Sequence, residues 1–476
     1  MAAQRTRHAT GPLVRGRWTA PERTATISDL ADGGTFETVH LAGVDDVERA
    51  LTAADAARTE LRETTIPERA NWCHEIADGI RERKSDFVET IVREAGKPIS
   101  SARGEVESAA ERFDRAAEEI RHLKGEYREG TTDGHEDWEA LVKFEPIGTV
   151  VCISPYNYPL ATTALQVAPA LATGNSVLLK PALKTPVSAA MLAEVLDDVD
   201  LPEGTFNFLP GRGSEIGDAL VGDDRVDAVA MTGSSGAGKR VADQSGIANL
   251  HLELGGNAPA IVFSDADLTD VADQCAKGSF KYAGQRCSAV SRILAHEDVH
   301  DDLVSDLEDR VPEWQPDDLF EESTRVGPLI DESQAEWVDE LVTDAVDRGA
   351  NLVCGGERDG TVYEPTLLSE IPHDARILRE EQFGPVAAVT EVESESAALE
   401  LANESDLTLD GCVFTSDYDR ATSVANRLEA GAVRINGVPS HGLGDIPFGG
   451  NGKSGIGREG LGVTIREFVR RKSVIL

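Results

Sequence analysis

Basic residues are scarce in this sequence. Among 476 residues, Lys and Arg number 46 and Asp and Glu number 85, so the formal net charge at pH 7 is −39. Nucleic-acid-binding proteins need cationic groups that displace counterions from phosphates, and proteins that dock on anionic membranes need basic patches. We therefore expect neither nucleic acid nor a membrane among the partners of this protein.

The acidic surplus also suggests where the protein works. It is typical of the heavily hydrated surfaces of proteins from high-salt cytoplasms. At molar salt the Debye length is only about 3 Å, so the repulsion between like charges is screened. We expect a halophilic protein on this basis, and the alternative is an acidic protein without a requirement for salt.

Cysteines and long apolar runs are also few. No stretch of about 18 uncharged apolar residues could span a membrane, and the first residues include Arg5 and Arg7 but no apolar segment typical of a secretory signal. No Cys-x-x-Cys pair supports a zinc site, so we expect no bound metal. The protein is predicted to be cytoplasmic and reduced, with six scattered cysteines: Cys73, Cys152, Cys275, Cys287, Cys354 and Cys412.

The apolar residues occur in short runs that alternate with helical patterns. Three helices are predicted first, near residues 44–62, 67–94 and 101–124. After them, runs such as GTVVCIS (148–154) and NSVLLK (175–180) are unbroken by polar residues, as in strands buried on both faces. Strands separated by helices favour βαβ units in a parallel sheet. A second alternation begins after Gly256, so two α/β domains in series are predicted.

Two segments fall outside this alternation. The polar, Gly-rich stretch 125–137 predicts a hairpin arm, and the tail ends in the apolar run SVIL (473–476). A strand-like tail of this kind either pairs with another subunit or forms a sheet edge within its own.

The first candidate for chemistry is Cys287, in YAGQRCSAV (282–290). A thiol that lies beside a cation, here Arg286, and near a helix start is expected to have a lowered pKa and to act as a nucleophile. The alternative is a small apolar side chain in the core.

Two polar residues lie at the ends of predicted strands. Glu253, in HLELGGNAP (251–259), precedes a Gly pair within an apolar run, where a buried carboxylate is costly unless it is used or paired. Asn157, in ISPYNYPL (153–160), follows a buried strand, at the edge where open α/β sheets bind ligands, and its amide could donate to an oxyanion. The alternatives are residues that only complete turns.

Two further features could bind phosphate. The Gly-rich segment TGSSGAGK (232–239) follows a predicted strand and opens a predicted helix, where backbone N–H groups can approach a phosphate. It matches neither the G-x-G-x-x-G pattern nor a Walker loop. Lys180 ends the NSVLLK strand and could reach ribose or phosphate groups, or could extend into solvent.

Eight motifs make the sequence similar to the aldehyde dehydrogenase superfamily. They occur in the family's order from about Glu94 onwards: EAGKPI (94–99), SPYNYP (154–159), GNSVLLKPA (174–182), MTGSSGAG (231–238), LELGG (252–256), GQRC (284–287), EEQFGPV (380–386) and PFGGNGKSGIGREG (447–460). The sequence most resembles the branch of non-phosphorylating glyceraldehyde-3-phosphate dehydrogenases and lactaldehyde dehydrogenases. The resemblance implies oxidation of an aldehyde to the carboxylic acid, with NADP or NAD as cofactor.

The resemblance also implies a fold and an assembly. We expect an α/β fold with a Rossmann-like NAD(P)-binding domain (1–123 and 147–254), an α/β catalytic domain (255–445) and a β oligomerisation arm (124–146 and 460–476). Members of the family are dimers or tetramers, so a homodimer or homotetramer is expected.

The family's catalytic positions are all filled. Cys287 matches the nucleophile, which forms a thiohemiacetal and then, after hydride transfer, a thioester. The Asn157 amide and the Cys287 backbone N–H would hold the oxyanion, and Glu253 matches the base that activates water for hydrolysis. A non-catalytic oligomeric scaffold, the alternative of another class, would be expected to have lost one of these three.

Five residues match the family's cofactor positions. Lys180 resembles the lysine at the adenine ribose, and Gly233 and Ser234 resemble the turn that faces the pyrophosphate. Glu381 and Phe383 resemble the pair that holds the nicotinamide ribose and ring.

The sequence departs from the family pattern at Leu183. Many NAD-using members have a Glu there, three residues after the lysine, which accepts from the ribose 2′-OH and repels a 2′-phosphate. Lys180, Lys184 and Arg212 could instead meet a phosphate. NADP is therefore predicted to be accepted, and a preference for NADP over NAD is the hypothesis to test.

The same branch suggests the substrate. Arg286, Tyr158 and Arg121 are the predicted substrate residues, and the two arginines could bind a phosphate through charged hydrogen bonds. The favoured substrate is glyceraldehyde 3-phosphate. Lactaldehyde or a semialdehyde is the alternative.

Overall fold

The computed structural model describes residues 10–442 and 446–476, and Arg5 and Arg7 lie outside these residues. No helix in the described part of the chain is long and apolar enough to cross a membrane. The α-helices in these residues are α1 (Val44–Leu61), α2 (Ile66–Glu82), α3 (Lys84–Ala95), α4 (Ile99–His122), α5 (Ala161–Ala172), α6 (Val187–Asp197), α7 (Gly213–Val221), α8 (Ser235–Gln244), α9 (Leu268–Phe280), α10 (His300–Glu308), α11 (Glu332–Arg348), α12 (Glu395–Asn403), α13 (Tyr418–Arg427) and α14 (Leu461–Glu467).

Most of the strands are short. They are β1 (Leu13–Val14), β2 (Arg17–Trp18), β3 (Thr24–Ser28), β4 (Thr35–His40), β5 (Glu126–Glu129), β6 (Glu139–Pro146), β7 (Thr149–Ile153), β8 (Ser176–Lys180), β9 (Phe206–Phe208), β10 (Ala228–Thr232), β11 (Asn249–Glu253), β12 (Ala258–Val262), β13 (Val290–His296), β14 (Asn351–Cys354), β15 (Arg358–Asp359), β16 (Val362–Tyr363), β17 (Thr366–Ser369), β18 (Val386–Val392), β19 (Leu407–Thr408), β20 (Asp410–Phe414), β21 (Ala432–Ile435), β22 (Asn451–Gly452), β23 (Gly455–Ile456) and β24 (Val469–Ile475). Three short 3₁₀ turns complete the regular elements: Lys281–Gly284, Val311–Trp314 and Arg376–Leu378.

The helical region before β5 follows its sequence signals closely. α2 begins after Thr65, whose hydroxyl accepts from the Glu68 N–H while the Glu68 carboxylate accepts from the Thr65 N–H. The pattern over 67–94 predicted one helix, but the chain forms two, α2 and α3, which meet at Arg83. α4 packs against both α2 and α5 in the largest apolar core.

Eight strands form the first sheet, in the order β2-β1-β9-β8-β7-β10-β11-β23. Its five central strands are parallel and lie between two cores, since Leu178 packs on one side of β8 and Val177 and Leu179 on the other. The parallel register aligns Thr232 at the end of β10 with Glu253 at the end of β11. Ligands bind at this carboxyl edge in open α/β sheets.

Seven strands form the second sheet, in the order β14-β17-β18-β13-β12-β20-β21. All of them lie within 255–445, and all neighbours except β14 and β17 are parallel. The two-sheet α/β architecture agrees with the alternation of apolar runs and helices in the sequence. The exact domain boundaries remain a prediction, and β23, outside the predicted domains, completes the first sheet.

The third sheet combines the predicted arm with the tail. β24 pairs antiparallel with β6 along its whole length, from Val469 opposite Pro146 to Ile475 opposite Ala140, and β5 pairs with the other edge of β6. Of the two alternatives for the tail, a sheet edge within the same chain is what forms.

Candidate active site

Cys287 lies in the wall of a cavity of about 1570 Å³ at the carboxyl edge of the first sheet. The chain reaches it through a tight turn in which Tyr282, Ala283 and Gly284 all have positive φ angles. At Gly284 a side chain is impossible, because a Cβ atom would lie 1.9 Å from the Gly384 carbonyl oxygen. This turn places the half-buried thiol in the cavity.

The predicted lowering of the Cys287 pKa is wrong. Burial raises this pKa, and the charges of Asp410, Glu253 and Glu381 raise it further. The neighbouring Arg286 donates instead to the Gly278 carbonyl oxygen over 2.5 Å. The resting thiol is therefore protonated at neutral pH.

Asn157 is buried and lies next to the loop that carries the thiol. Its Nδ2 donates to the Gln285 carbonyl oxygen over 2.9 Å. The Gln285 side chain is itself fixed, since its Oε1 accepts from the Ile330 N–H at 2.9 Å and its Nε2 donates to the Pro328 carbonyl oxygen at 3.3 Å. The Asn157 amide has a second N–H, which is available to a ligand in the cavity.

Glu253 lies at the end of β11 and also lines the cavity. Its side chain is buried, and neither carboxylate oxygen has a hydrogen-bond partner within residues 10–442 and 446–476. Burial raises its pKa well above the usual range, and the charge of Glu459 adds to this effect. A buried, unpaired carboxylate in a cavity is costly to keep, which favours a catalytic role.

The Gly-rich turn before α8 lies in the same cavity. Gly233 donates its N–H to the Glu253 carbonyl oxygen over 3.0 Å, and the Ser234 hydroxyl caps α8 by accepting from the Ala237 N–H over 3.3 Å. A side chain at Gly233 would meet the end of Met231 at 2.8 Å. The N–H groups at this helix start fit the pyrophosphate of a dinucleotide.

Glu381 and Phe383 line another part of the cavity wall. Oε1 of Glu381 accepts from the Gly256 N–H over 2.9 Å, and burial raises the pKa of this carboxyl to about 7. Phe383 has a φ of 47° and packs edge-on against Tyr156, with ring centroids 5.9 Å apart.

The three candidate phosphate cations have different surroundings. Lys180 is buried at the end of β8, where Nζ donates to the Pro181 carbonyl oxygen over 3.2 Å and burial lowers its pKa to about 8. Lys184 forms an ion pair with Asp331. Arg212, just before α7, is half-exposed and lies 3.9 Å from a Glu215 oxygen.

The structure brings Arg286 and Tyr158, but not Arg121, to the cavity wall. Tyr158 packs against Lys97, whose Nζ lies 3.6 Å from the ring centroid. Arg121 points elsewhere on α4 and lies 3.9 Å from a Glu118 oxygen. The other two predicted substrate residues therefore lie where a substrate can reach them.

Sequence reasoning missed Arg112, which lines the cavity from α4. It donates to the Ala161 carbonyl oxygen, while its buried Nε has no hydrogen-bond partner. Its position between the buried Ala109 and Phe113 was the available signal, because an arginine on the apolar face of a helix needs a partner.

Comparisons with known proteins find similar chains over nearly the whole length of this one. The 3-sulfolactaldehyde dehydrogenase of Priestia aryabhattai is 34% identical over 469 residues, 98% of each chain. The NADP-dependent glyceraldehyde-3-phosphate dehydrogenase of Streptococcus equinus is 35% identical over 467 residues, 97% of each chain. The crystal structure of the NADP-dependent glyceraldehyde-3-phosphate dehydrogenase from Bacillus halodurans, complexed with NADP, superposes with a TM-score of 0.96 at 35% identity, covering 99% of both chains.

The fold and the site define an α/β enzyme with a cysteine in a dinucleotide-sized cavity. Residues 18–474 match the Aldehyde dehydrogenase family, and the chain belongs to this family. The predicted family, the α/β fold class and the expectation of an aldehyde dehydrogenase are thereby confirmed. The relatives include both kinds of enzyme in the predicted branch, glyceraldehyde-3-phosphate dehydrogenases and lactaldehyde dehydrogenases.

Proposed function

We propose that the chain oxidises a small aldehyde to the carboxylic acid with NAD(P), through a covalent intermediate on Cys287. One observation carries this proposal: the thiol of Cys287, the unpaired carboxylate of Glu253 and the amide of Asn157 all line one cavity, beside the Gly-rich turn before α8.

Cys287 is the attacking group. As its sulfur bonds to the carbonyl carbon, the thiol proton passes to one of the neighbouring carboxylates, such as that of Glu253, and the carbonyl oxygen gains negative charge. The second Nδ2 N–H of Asn157 and the backbone N–H of Cys287 stabilise that charge in the thiohemiacetal. The hydrogen bond to Gln285 fixes the amide for this task before the substrate arrives.

Bound NAD(P)⁺ supplies the acceptor for the hydride of the aldehyde carbon. Glu253 then acts on the thioester that remains at Cys287. It takes a proton from a water molecule whose oxygen bonds to the thioester carbon, the C–S bond breaks, and the acid leaves. Its raised pKa makes Glu253 a stronger base than an exposed carboxylate.

We infer that five residues hold the cofactor: Lys180, Gly233, Ser234, Glu381 and Phe383. The N–H groups at the start of α8 would face the pyrophosphate, and the missing side chain at Gly233 leaves room for it. Oε1 of Glu381 accepts from the Gly256 N–H, which leaves Oε2 to accept from a ribose hydroxyl.

We also infer that NADP is accepted. Leu183 places no carboxylate near the ribose, and Lys180 and Arg212 are the cations that remain for a 2′-phosphate. Lys184, the third candidate, is already paired with Asp331.

The substrate that we propose is a three-carbon aldehyde with a terminal anion, with glyceraldehyde 3-phosphate favoured. The buried, unpartnered Nε atoms of Arg286 and Arg112, which line the same cavity as Tyr158, suit a phosphate or sulfonate. The names of two relatives support this class, because 3-sulfolactaldehyde and glyceraldehyde 3-phosphate are both three-carbon hydroxyaldehydes with such a group.

A panel of aldehydes tests the substrate class. Arg286→Ala should raise KM for glyceraldehyde 3-phosphate at least about tenfold more than KM for neutral lactaldehyde, because charged hydrogen bonds to the anion are lost. Arg121→Ala, on the other side of α4, is the matched control and should change neither KM. Equal effects of Arg286→Ala on both substrates would exclude the anion-binding role, and a higher kcat/KM for lactaldehyde or a semialdehyde would favour that substrate.

Absorbance at 340 nm tests the reaction itself. Purified protein with NAD(P) and an aldehyde should produce reduced cofactor without coenzyme A, and Cys287→Ala should abolish the reaction. A protein that binds neither cofactor nor aldehyde would instead be a non-catalytic oligomeric scaffold.

We further propose that the chain works in the cytoplasm as a homodimer or homotetramer, joined through the third sheet. That sheet and its connections expose large apolar side chains: Tyr127, Trp138, Leu141, Val474, Ile475 and Leu476. Exposed apolar groups of this kind are typical of interfaces. Light scattering of the purified protein measures the assembly, and a monomer would contradict the proposal.

A further inference from the structure

His251 lies next to Glu253 in β11 and has no part in the steps above. His251 and Glu253 are two residues apart in β11, so their side chains lie on the same face of the strand, and both are buried. Nδ1 of His251 is hydrogen-bonded to the Glu467 carboxylate. Its Nε2 lies 3.9 Å from Oε1 of Glu459, which lines the same cavity as Glu253.

The chain that follows β23 holds the ring of His251 in place. Glu467 ends α14, and its Oε1 also accepts the Arg458 backbone N–H over 3.2 Å. A Cβ atom at Gly457 would lie 3.0 Å from Nδ1 of His251, so the backbone packs directly on the ring. The ring is fixed between two carboxylates, that of Glu459 at the cavity and that of Glu467, which is 30% exposed, at the surface.

Two carboxylates and two cations act on Glu253. Burial and the charges of Glu459 and Asp410 raise the pKa of Glu253, while the charges of His251 and Arg458 lower it. Arg458 is engaged with backbone carbonyl oxygens and with Asn451. His251 is thus the cation that shares a strand face with the base.

The ring of His251 is positively charged at neutral pH. Burial alone would lower its pKa, but the contacts with Glu459 and Glu467 raise it to about 10. Arg112 on α4 is a further cation whose charge interacts with the Glu459 carboxylate.

We propose that His251 is a positioning residue for the general base. Held by Glu467, its ring places a fixed positive charge beside the Glu459 carboxylate and on the same strand face as Glu253, so that Glu253 can stay ionised and accept a proton from water. The proposal rests on the assignment of Glu253 as the base. The competing explanation is that the contact between His251 and Glu467 only anchors α14 to β11.

Two variants test the proposal on the full-length protein. His251→Gln removes the charge and keeps a polar side chain. Glu467→Gln weakens the hydrogen bond to Nδ1 of His251 at the surface and does not alter the cavity. The loss of the acyl group from Cys287 is followed against pH by rapid quenching and intact mass spectrometry. In His251→Gln we expect the apparent pKa for deacylation to rise by about one unit, so that deacylation slows about tenfold at pH values below this pKa and approaches the wild-type rate at pH values well above it. Glu467→Gln should shift the profile in the same direction by a smaller amount.

Controls separate this role from a structural one and from failure of the proposed function. The amplitude of the first burst of reduced cofactor should be unchanged in both variants, because each Cys287 is still acylated once before deacylation limits turnover. His74→Gln, at a histidine that pairs with Asp114 2.8 Å away on the surface, is the matched control and should behave as the wild type.

An unchanged pH profile, or a loss of rate that is equal at all pH values, would overturn the proposal. A wild-type protein without a burst would overturn the proposed function instead, and if His251→Gln does not fold, Glu467→Gln decides the question.

Discussion

The backbone of Gly256 passes so close to Cys287 that a Cβ atom at position 256 would lie 2.2 Å from the Cys287 carbonyl oxygen. This contact joins the turn after Glu253 to the loop of the nucleophile. Gly256→Ala should therefore displace the thiol relative to the base and the amide of Asn157. We expect kcat/KM to fall at least about 100-fold, since misplacement by about 1 Å has effects of that size.

The matched control for this prediction is Gly217→Ala. Gly217 lies in α7, where a Cβ atom would have no neighbouring atom within 4 Å, and it does not line the cavity. The kcat/KM of this variant should match that of the wild type. If Gly256→Ala were as active as Gly217→Ala, the two motifs would not depend on their close contact.

The reactivity of the resting thiol should rise steadily with pH. Because burial and nearby carboxylates raise the pKa of Cys287, the thiolate fraction is small at pH 7 and increases up to and beyond pH 9. Alkylation by iodoacetamide, followed at Cys287 by peptide mass spectrometry, should accelerate about tenfold per pH unit over this range. Glu253→Gln removes one of the carboxylates and should speed alkylation at pH 8, whereas a plateau already reached near pH 7 would contradict the raised pKa.

Cofactor preference should depend on Arg212. Its guanidinium is half-exposed and only loosely paired, so it can bind a 2′-phosphate. Arg212→Ala should lower kcat/KM for NADP about tenfold and leave the value for NAD nearly unchanged, as expected for the loss of one charged hydrogen bond. Lys239→Ala, which removes an exposed cation paired with Asp243 on α8, is the control. A wild-type enzyme with a strong preference for NAD would exclude the NADP hypothesis.

Salt should stabilise the folded protein. With a formal net charge of −39, repulsion between acidic groups opposes folding at low ionic strength, and salt screens it. We expect Tm to rise between about 0.1 M and about 2 M KCl, as measured by calorimetry. Surface ion pairs, such as Arg225 with Asp223 at 2.7 Å, are weakened by salt and act in the opposite direction. A constant or falling Tm would rule out the halophilic interpretation and leave the dehydrogenase assignment intact.

Local patterns in the sequence were sufficient to predict the α/β architecture. The unbroken apolar runs before Asn157 and before Lys180 are β7 and β8, and their burial on both faces is what such runs predict. Asn157 follows β7 and Glu253 ends β11 at the carboxyl edge of the first sheet, whereas Cys287 precedes β13 of the second sheet. All three line one cavity. The single helix expected over 67–94 divides at Arg83, which the apolar periodicity did not indicate.

The parts of the site that the sequence did not reveal depend on geometry between distant segments. Arg112 and Arg121 are nine residues apart, which is two and a half helical turns, so they lie on opposite faces of α4. Only the packed helix shows that the first of them reaches the cavity. The raised pKa of Cys287 likewise comes from burial in the packed fold and from the charges of Asp410 and Glu381, which lie more than 90 residues away along the chain.

The strand that carries Glu253 receives its outer neighbour very late in the sequence. β11 lies between β10 and β23, and β23 begins only at Gly455, although the same sheet starts with β1 at Leu13. During synthesis, β11 is therefore an open edge, available for wrong pairing, until nearly the whole chain has been made. A polypeptide that stops before β23 lacks the strand that covers the edge of β11 beside Glu253. We therefore expect premature termination to give an aggregation-prone product and no partially active enzyme.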